Sequence, residues 1–338
     1  RHTRYGTVTG VQTCALPILT QATSRERYRH SWLHSSCLSS PCHHGMMWPV
    51  TWNAFSSLLT IVPDIDSVHI IIPDYDGWDQ TKICLQALRD STYKSWHTIV
   101  VDHGLSDATA NGLRAMYPGV TRLSGGTDLW WTGATNLGIR WAMGHGATHI
   151  MLLNNDCYVA PDTTKRLVAH MQQTGEAIIA AVQRDYATKQ VLYDTASACL
   201  LLGFTTFMSP RVLSKSSRQK TLLPTKLVIG GRGVLIPASV FERIGLFDEE
   251  ALPHYGADHD FYLRARQQGV PLLTALDAIV YVDNRKTTLA RRLGTLSFAE
   301  FRSTLSSRRS HRNLKDLNAL FKKHYPLKGL HHVGVTLN

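Results

Sequence analysis

The sequence predicts an α/β fold, with a mostly parallel sheet flanked by helices and a C-terminal helical basic tail. Three features support this class: short β-branched runs end in polar turns, helix-like stretches separate them, and a cationic segment follows the last apolar run. Strands that alternate with helices form right-handed βαβ units on a parallel sheet. With 338 residues and 43% hydrophobic content, the chain can bury a full core as one large or two ordinary domains.

The first predicted strand lies in VHIIIPDYDG, residues 68–77, where Pro73 and a polar turn close a β-branched run. TKICLQALRDST then places apolar residues at helical spacing, and HTIVVDHGLSD repeats the pattern of an apolar strand followed by an acidic turn. TNLGIRWAMGHG is the next predicted helix, and HIMLLNND, residues 149–156, is the next strand. Ligands bind beyond the carboxyl ends of strands in such sheets, which is where these polar turns fall.

Three of these turns carry acids or amides directly after an apolar run: Asp74 and Asp76, Asp102 and Asp107, and Asn154 to Asp156. Such residues favour turns for conformational reasons alone, but three in succession favour one acidic site along the sheet edge. No GxGxxG follows the first strand and no GxxxxGK[ST] occurs, so Rossmann and P-loop sites lose support. A diphosphate can still bind there through a divalent cation that bridges carboxylate and phosphate oxygens.

The formal charge of +11 is concentrated in the tail. Residues 67–283 carry 19 basic and 20 acidic side chains, whereas residues 284–338 carry 12 basic and 2 acidic ones, a net of +10. Apolar residues at helical spacing between these cations fit an amphipathic helix on an anionic membrane surface. A pair of helices packed on the domain with a solvated basic face fits equally well. Nucleic acid is not expected, because no aromatic-interleaved basic surface or binding motif accompanies the charge.

Residues 1–66 are left out of the fold prediction. Val8 to Ile18 resembles the translation of a common DNA-sequencing adapter, so residues 1–18 are expected to be an assembly artefact and the remainder an artefactual or disordered extension. The six scattered cysteines indicate a reduced, cytoplasmic protein. No apolar stretch reaches the roughly 18 to 20 residues that span a bilayer. If the tail binds lipid, the expected location is the inner face of the membrane.

At these loops the sequence resembles family 2 of the glycosyltransferases, which have the GT-A fold. HIIIPDYDG resembles the family's nucleotide-facing turn, TIVVDHGLSDAT its VVDNGSxDGT segment, and HIMLLNND the approach to its DxD-type metal motif. GGRGVLIPASVFERIGLFDEEALPHYGADHDFYLRARQQG resembles the acceptor half, with its GlFDE turn and EDxD-like motif. The resemblance implies a GT-A domain over 67–283, with a donor half (67–160) and an acceptor half (161–283), followed by a basic helical tail (284–338).

The implied activity is an inverting, metal-dependent hexosyltransferase of cell-surface polysaccharide biosynthesis, nearest to a rhamnosyltransferase. Its donor would be a UDP- or dTDP-sugar and its acceptor a glycan or lipid-linked glycan. Asp258 matches the family's catalytic base, and Asp156 would hold Mg²⁺ or Mn²⁺. The implied donor-binding residues are Pro73, Asp74, Tyr75, Asp102, Asn136 and Asn155. The implied acceptor-binding residues are Trp131, Gly231, Arg232 and Asp260.

The sequence departs from the family pattern at four places, one of which is Asp74, where Thr or Asn is common. Asn154 replaces the first acid of DxD, Ala257 stands where a Glu is often found, and Val282 and Asp283 stand where the family often has a His. These departures leave open a nucleotide-sugar-binding protein without turnover. A nucleotidyltransferase is a further alternative, although the acidic PDYDGWDQTK stands where such enzymes have a glycine-rich basic loop. Asp258 and Asp260 would also stabilise a helix N-terminus whatever the function.

Overall fold

A mixed β-sheet lies at the centre of the protein. The computed structural model describes residues 67–193, 195–201, 203, 205–209, 221–283 and 297–338. Its strands are β1 (Val68–Asp74), β2 (Trp96–Asp102), β3 (Thr121–Ser124), β4 (His149–Leu153), β5 (Cys157–Val159), β6 (Ile178–Asp185), β7 (Val191–Tyr193), β8 (Thr195–Cys199), β9 (Thr205–Ser209), β10 (Leu222–Pro224), β11 (Arg232–Pro237) and β12 (Leu272–Val282). Among the described residues, ten of these strands form the sheet, whose main path is β10-β12-β6-β11-β4-β1-β2-β3, while β8 and β9 pair separately.

Helices flank the sheet, as the predicted α/β class requires. They are α1 (Trp78–Arg89), α2 (Ala108–Met116), α3 (Trp130–Gly144), α4 (Thr163–Thr174), α5 (Ala238–Ile244), α6 (Ala257–Gln267), α7 (Phe298–Ser306), α8 (Leu314–His324) and α9 (His331–Leu337). The strands and helices expected between residues 68 and 156 all form, and β1 pairs in parallel with both β2 and β4. The predicted α/β class with flanking helices is therefore confirmed. Among the described strands the sheet is mixed rather than mostly parallel, because β5, β7, β10 and β11 pair antiparallel with their neighbours.

Burial on both faces explains why the central strands are continuous apolar runs. Every residue of β1 and β4 is buried, and Ile70, Ile71 and Ile72 have no exposed surface. Helix α3 packs directly on β1 at Gly138, where an added Cβ would lie 2.5 Å from a methyl carbon of Ile71. A larger residue at this position would force the helix away from the sheet.

Strand β11 reverses the direction of the sheet between β4 and β6, with which it pairs antiparallel. A register shift between Arg232 and Val234 bends its first residues, and Gly233 has a left-handed φ of 77° at this bulge. Glycine tolerates that conformation because it has no Cβ. The bend brings Gly231 next to the end of β4, where its carbonyl accepts the N–H of Asn154 at 2.7 Å.

The described part of the basic tail folds as three helices. Ser297 and Glu300 form a capping box at the start of α7, and the Asn313 side chain accepts N–H bonds at the start of α8. Helix α8 contacts α6 and buries Leu320 and Phe321. The tail thus has a packed helix as well as exposed cations.

Some sequence predictions lie outside the described residues. These are the adapter-like segment 1–18, the remainder of 1–66, and the tail residues 284–296. In the parts of the chain that the structure describes, every helix is too short or too polar to span a bilayer.

Candidate active site

The carboxyl ends of β1, β2 and β4 lie side by side, because these strands are parallel neighbours. The start of β11 joins the same edge through Asn154, and α6 joins it through a hydrogen bond from the Gly230 N–H to the Asp258 carboxylate at 2.8 Å. Segments that are more than 100 residues apart in the sequence therefore form one hydrogen-bonded edge. We call this arrangement the sheet-edge site.

Asp74 ends β1 with a carboxylate that has no exposed surface. Thr81 Oγ1 donates to it at 2.7 Å, Thr109 Oγ1 at 2.5 Å and Asn155 Nδ2 at 2.7 Å. The Asn155 amide also reaches Thr81 Oγ1 at 3.2 Å. Asp74 and Asn155, both expected to bind the donor, thus tie the loops after β1, β2 and β4 to one another.

The turn after β1 also fixes the loop after β2. Asp76 has a left-handed φ of 50°, and its Oδ1 accepts the N–H groups of Leu105 at 2.9 Å and Ser106 at 2.8 Å. Pro73 is buried within β1. Tyr75 is 38% exposed, and its ring centroid lies 5.4 Å from that of His103. Among the expected donor-binding residues of this turn, Tyr75 is the one that presents an accessible ring.

Asp102 ends β2 as a buried carboxylate paired with Arg122, whose Nε lies 2.8 Å from Oδ2. The adjacent His103 is also buried, and within the described part of the chain its Nδ1 has no hydrogen-bond partner. Burial lowers the pKa of His103, although the charges of Asp74 and Asp102 oppose this change. The loop after β2 therefore combines an ion-paired carboxylate with an imidazole nitrogen available for one more hydrogen bond.

The three polar residues after β4 point in different directions. Asn154 Oδ1 accepts a hydrogen bond from Trp131 Nε1 at 2.9 Å, which links this loop to α3. Asn155 faces Asp74. Asp156 is partly exposed, and its Oδ1 lies 3.3 Å from Cys157 Sγ. Of the three, Asp156 is the residue that offers a carboxylate to a ligand at the edge.

A second acidic residue, Asp283, is joined to Asp156 by a backbone hydrogen bond. The N–H of Asp283, which follows β12, donates to the Asp156 carbonyl at 2.8 Å, and the buried Asp283 carboxylate accepts from the Tyr158 hydroxyl at 3.1 Å. Burial, together with the Asp283 charge, raises the pKa of Tyr158 and keeps the phenol protonated. Within the described ranges, no three His, Cys, Asp or Glu side chains are grouped to hold a metal ion. A cation at Asp156 would thus need oxygen ligands from its substrate and from water.

The expected acceptor-binding residues Trp131 and Gly231 pack together. A Cβ added to Gly231 would lie 3.0 Å from the Trp131 ring and 3.2 Å from Asn154 Oδ1, so a larger residue would fit only if these side chains moved by a few tenths of an ångström. The Trp131 ring also meets Phe247 edge-on at 5.6 Å. Arg232 extends from the same turn, with Nη1 at 3.4 Å from Gln183 Oε1.

Helix α6 holds the Gly230 backbone on both sides. Asp258 Oδ2 accepts the Gly230 N–H at 2.8 Å, and the Tyr262 hydroxyl donates to the Gly230 carbonyl at 3.1 Å. The Asp258 side chain keeps 15% of its surface exposed, with His259 Nε2 at 3.9 Å from Oδ2. Asp258 is therefore positioned against the loop that adjoins Asn154 and is partly open to solvent.

Asp260, two residues further along α6, has a carboxylate with no exposed surface. Arg264 Nε lies 2.9 Å from Oδ2, while His324 Nε2 and Lys323 Nζ lie 2.8 and 3.2 Å from Oδ1. Burial alone would raise the pKa of Asp260, but the hydrogen bond from His324 and the charge of Arg264 outweigh it and lower the pKa to about 2. Asp260, expected to bind the acceptor, is enclosed by protein cations.

Asn136, expected to bind the donor, is buried in α3 and uses its amide within the protein. Its Nδ2 donates to the Phe247 carbonyl and to Glu249 Oε2, each at 2.8 Å, and its Oδ1 accepts the Phe247 N–H at 3.1 Å. Asn136 thereby fixes the turn at Phe247 and Glu249 against α3.

The rings of Trp130 and His254 form a pair near Asp258, whose charge acts on His254. Of the two residues, His254 is the one that the sequence pattern did not single out. Trp130 has φ 51° and ψ −165°, a combination that side-chain-bearing residues rarely adopt, and its ring centroid lies 5.6 Å from that of His254. Thr132 holds the two segments together through bonds to the carbonyls of Leu252 at 2.8 Å and Pro253 at 3.1 Å. Burial lowers the pKa of His254 to about 4. No local signal marks His254, because its place depends on contacts with a distant helix.

A sequence profile described as glycosyl transferase family 2 matches residues 69–245 of the chain, which is 177 of its 338 residues. This range includes the ends of β1, β2 and β4 and the start of β11, and it ends before α6, which carries Asp258. No curated protein shows a significant match.

Solved structures share the fold at low sequence identity. GalNAc-T7 with UDP, GalNAc and Mn²⁺ is similar with a TM-score of 0.58 and 13% identity, over 80% of this chain and 54% of that one. S. aureus TarS 1–349 in complex with UDP is similar with a TM-score of 0.50 and 12% identity, over 80% of this chain and 70% of that one. A further structure of S. aureus TarS 1–349 is similar with a TM-score of 0.48 and 14% identity, over 64% of this chain and 60% of that one.

Proposed function

The chain belongs to glycosyltransferase family 2, and we propose that it transfers a hexose with inversion from a nucleotide-diphosphate sugar to a glycan or lipid-linked acceptor. One observation carries the proposal. The hydrogen bonds from Asn154 to Gly231 and from Gly230 to Asp258 join the loop that carries Asp156 to the helix that carries Asp258. A carboxylate suited to a metal ion and a carboxylate suited to a base thus lie along one edge, as sugar transfer requires.

The proposed donor site lies at the ends of β1 and β2. The exposed Tyr75 ring would stack on the nucleobase, and Asp102 would accept the ring N–H that uracil and thymine both present. The UDP bound in the TarS and GalNAc-T7 structures supports a pyrimidine donor. The remaining expected donor-binding residues would support this site by fixing the protein around it. They are Pro73, Asp74, Asn136 and Asn155. A rhamnosyl donor linked to dTDP is the specific case that we put forward for test.

We propose that Mg²⁺ or Mn²⁺ binds at Asp156. Mn²⁺ accompanies UDP in the GalNAc-T7 structure, which supports a divalent cation in this fold. When bound, such an ion neutralises charge that develops on the leaving diphosphate. The Asn154 oxygen is already engaged by Trp131 Nε1, so binding should be weak without the diphosphate oxygens.

Asp258 is the proposed base. The Gly230 N–H holds its Oδ2, which leaves Oδ1 to take the proton of the acceptor hydroxyl. The oxygen of the acceptor hydroxyl would then bond to the anomeric carbon as the bond from that carbon to the diphosphate breaks. Such a single displacement inverts the configuration. Trp131, Gly231 and Arg232 would face the acceptor. Cell-surface polysaccharide is the proposed class of product.

The tail is proposed to attach the enzyme to the inner face of the membrane. Phe298 is 80% exposed, Leu330 and Leu337 are more than half exposed, and residues 284–338 carry a net charge of +10. Exposed apolar side chains among cations favour an anionic lipid surface. Sedimentation of the full chain with phosphatidylglycerol vesicles, but not with phosphatidylcholine vesicles, would support this location, and equal recovery with both would reject it.

A donor screen tests the main proposal. The full chain is incubated with UDP- and dTDP-sugars, with Mn²⁺, Mg²⁺ or chelator, and the release of nucleoside diphosphate is recorded beside Asp156→Ala. Asp162→Ala is the matched control, since Asp162 directly precedes α4 and its side chain is 50% exposed. Metal-dependent release that Asp156→Ala abolishes and Asp162→Ala retains would support the transferase.

The occupied Asn154 oxygen favours one alternative, a nucleotide-sugar-binding protein without turnover. Metal-dependent donor binding with no release in the presence of candidate acceptors would support that alternative. A folded chain that binds none of the donors would reject both.

A further inference from the structure

The C-terminal tail is attached to the helix that carries Asp258. At the last turn of α8, His324 Nε2 and Lys323 Nζ lie 2.8 and 3.2 Å from Asp260 Oδ1 in the first turn of α6. Lys323 also contacts Asp248 in the turn before α6. Leu320 and Phe321 bury apolar surface in the same helix. The contact is therefore both ionic and apolar.

The hydrogen bonds of His324 define how it meets Asp260. Its Nε2 faces the carboxylate, and its Nδ1 lies 3.4 Å from the Gln267 side-chain nitrogen at the other end of α6. The tautomer with hydrogen on Nε2 satisfies both contacts, because Nε2 then donates and Nδ1 accepts. The His324 side chain is 3% exposed. This buried imidazole therefore contacts side chains from both the first and the last turn of α6.

Asp258 and Asp260 face different sides of α6. Two residues rotate an α-helix by about 200°, so a carboxylate held toward the tail leaves the other directed away from it. Asp258 accordingly meets the Gly230 N–H while Asp260 meets α8. Tyr262 adds a second bond from α6 to the Gly230 carbonyl.

These contacts form a continuous path from the tail to the sheet-edge site. It runs from His324 through Asp260 and α6 to Gly230, and from Gly231 to the loop of Asn154. Without His324, Asp260 would keep Arg264 and Lys323 but lose a hydrogen bond to a buried oxygen. A buried acceptor left without its donor favours a shift of α6 that restores a partner.

We propose that Asp260, His324 and Lys323 are positioning residues, through which the tail sets the rotation of α6 and thereby aims Asp258 at the acceptor. This inference rests on the proposed role of Asp258 as the base. It assigns to the tail a part in catalysis that is independent of any membrane.

Hydrogen exchange tests the structural step without requiring turnover. In the full chain, His324→Ala should raise amide exchange in residues 257–267 and 229–231 by roughly tenfold or more, while exchange in β1 and β2 stays unchanged. Lys322→Ala is the matched control, because Lys322 precedes this pair in α8 and is exposed. If His324→Ala does not fold, Lys323→Ala should show a smaller increase in the same peptides.

Turnover tests the positioning step. His324→Ala should lower kcat about 10- to 100-fold with donor KM within about twofold, since small misplacements of a catalytic group cost that much. His324→Gln should restore most of the rate, because its amide nitrogen can donate to Asp260 in place of Nε2.

If amide hydrogen exchange and kcat are the same in His324→Ala as in Lys322→Ala, the inference is overturned. Equal loss of protection throughout the sheet would also overturn it, since the tail would then be a general stabiliser. A wild-type chain that releases no nucleoside diphosphate would instead reject the proposed function, and the exchange result would still decide the structural step.

Discussion

Residues 67–160, proposed as the donor half, and residues 161–283, proposed as the acceptor half, each contain a carboxylate with no exposed surface, but the two are satisfied by different partners. Asp74 accepts three hydrogen bonds from neutral groups of its own half, whereas Asp260 is enclosed by Arg264 and by two residues of the tail. The donor edge is thus self-contained, and the acceptor side depends on a segment more than 60 residues further along the chain.

Each half also has a carboxylate that remains partly exposed, Asp156 after β4 and Asp258 at the start of α6. The comparison therefore separates two kinds of acid. Changes at the exposed acids should reduce turnover, and changes at the buried acids should reduce stability.

The largest expected effect is on the rate of Asp258→Asn. Loss of a general base should lower kcat by about 10³-fold. The asparagine oxygen can still accept the Gly230 N–H, so the melting temperature should stay close to that of the wild type. Steady-state kinetics and thermal unfolding of the same preparation check this, and a rate within tenfold of the wild type would exclude Asp258 as the base.

Asp260→Asn should differ from Asp258→Asn in causing a large loss of stability. Arg264, Lys323 and His324 would face a neutral amide, and breaking a buried ion pair costs about 3 kcal/mol. Urea unfolding gives this free energy directly. A change below about 0.5 kcal/mol would mean that the tail contact contributes little to the fold.

The Asp260 carboxylate should also make the free energy of unfolding depend on pH in the acidic range. The pKa of Asp260 is lowered from 3.8 to about 2 in the folded chain, so its contribution is complete above pH 4 and is lost as the pH falls from about 4 to 2. That shift corresponds to about 2 kcal/mol. As the pH falls across this range, the free energy of unfolding should decrease more steeply for the wild type than for Asp260→Asn. Parallel curves for the two proteins would contradict the account.

The smallest expected effect is that of Thr109→Val in the donor half. The substitution removes one neutral donor to Asp74 and should cost about 1 kcal/mol of unfolding free energy. Donor affinity should stay within about twofold, because Asp74 has no exposed surface. Thr92→Val is the control, since its hydroxyl bonds are exposed. A donor affinity reduced tenfold without loss of stability would show that Asp74 acts on the ligand.

The sequence was sufficient for strands β1, β2 and β4 and for the edge at which their loops meet. Continuous β-branched runs such as Val68 to Ile72 have few other stable settings than a buried parallel sheet. It was not sufficient to say which acids face that edge. Asp74 is turned inward by Thr109, and Asp260 by His324, which lies 64 residues away. Such contacts carry no periodic signal, so the four acids look alike until the chain is folded.

The anomeric configuration of the first product tests the central claim most directly. Once the screen identifies a donor, NMR of an early reaction sample gives the one-bond coupling between the anomeric carbon of the transferred sugar and its proton, which distinguishes the two configurations also for a rhamnosyl group. Single displacement with Asp258 as base predicts a configuration opposite to that of the donor. A retained configuration would contradict it.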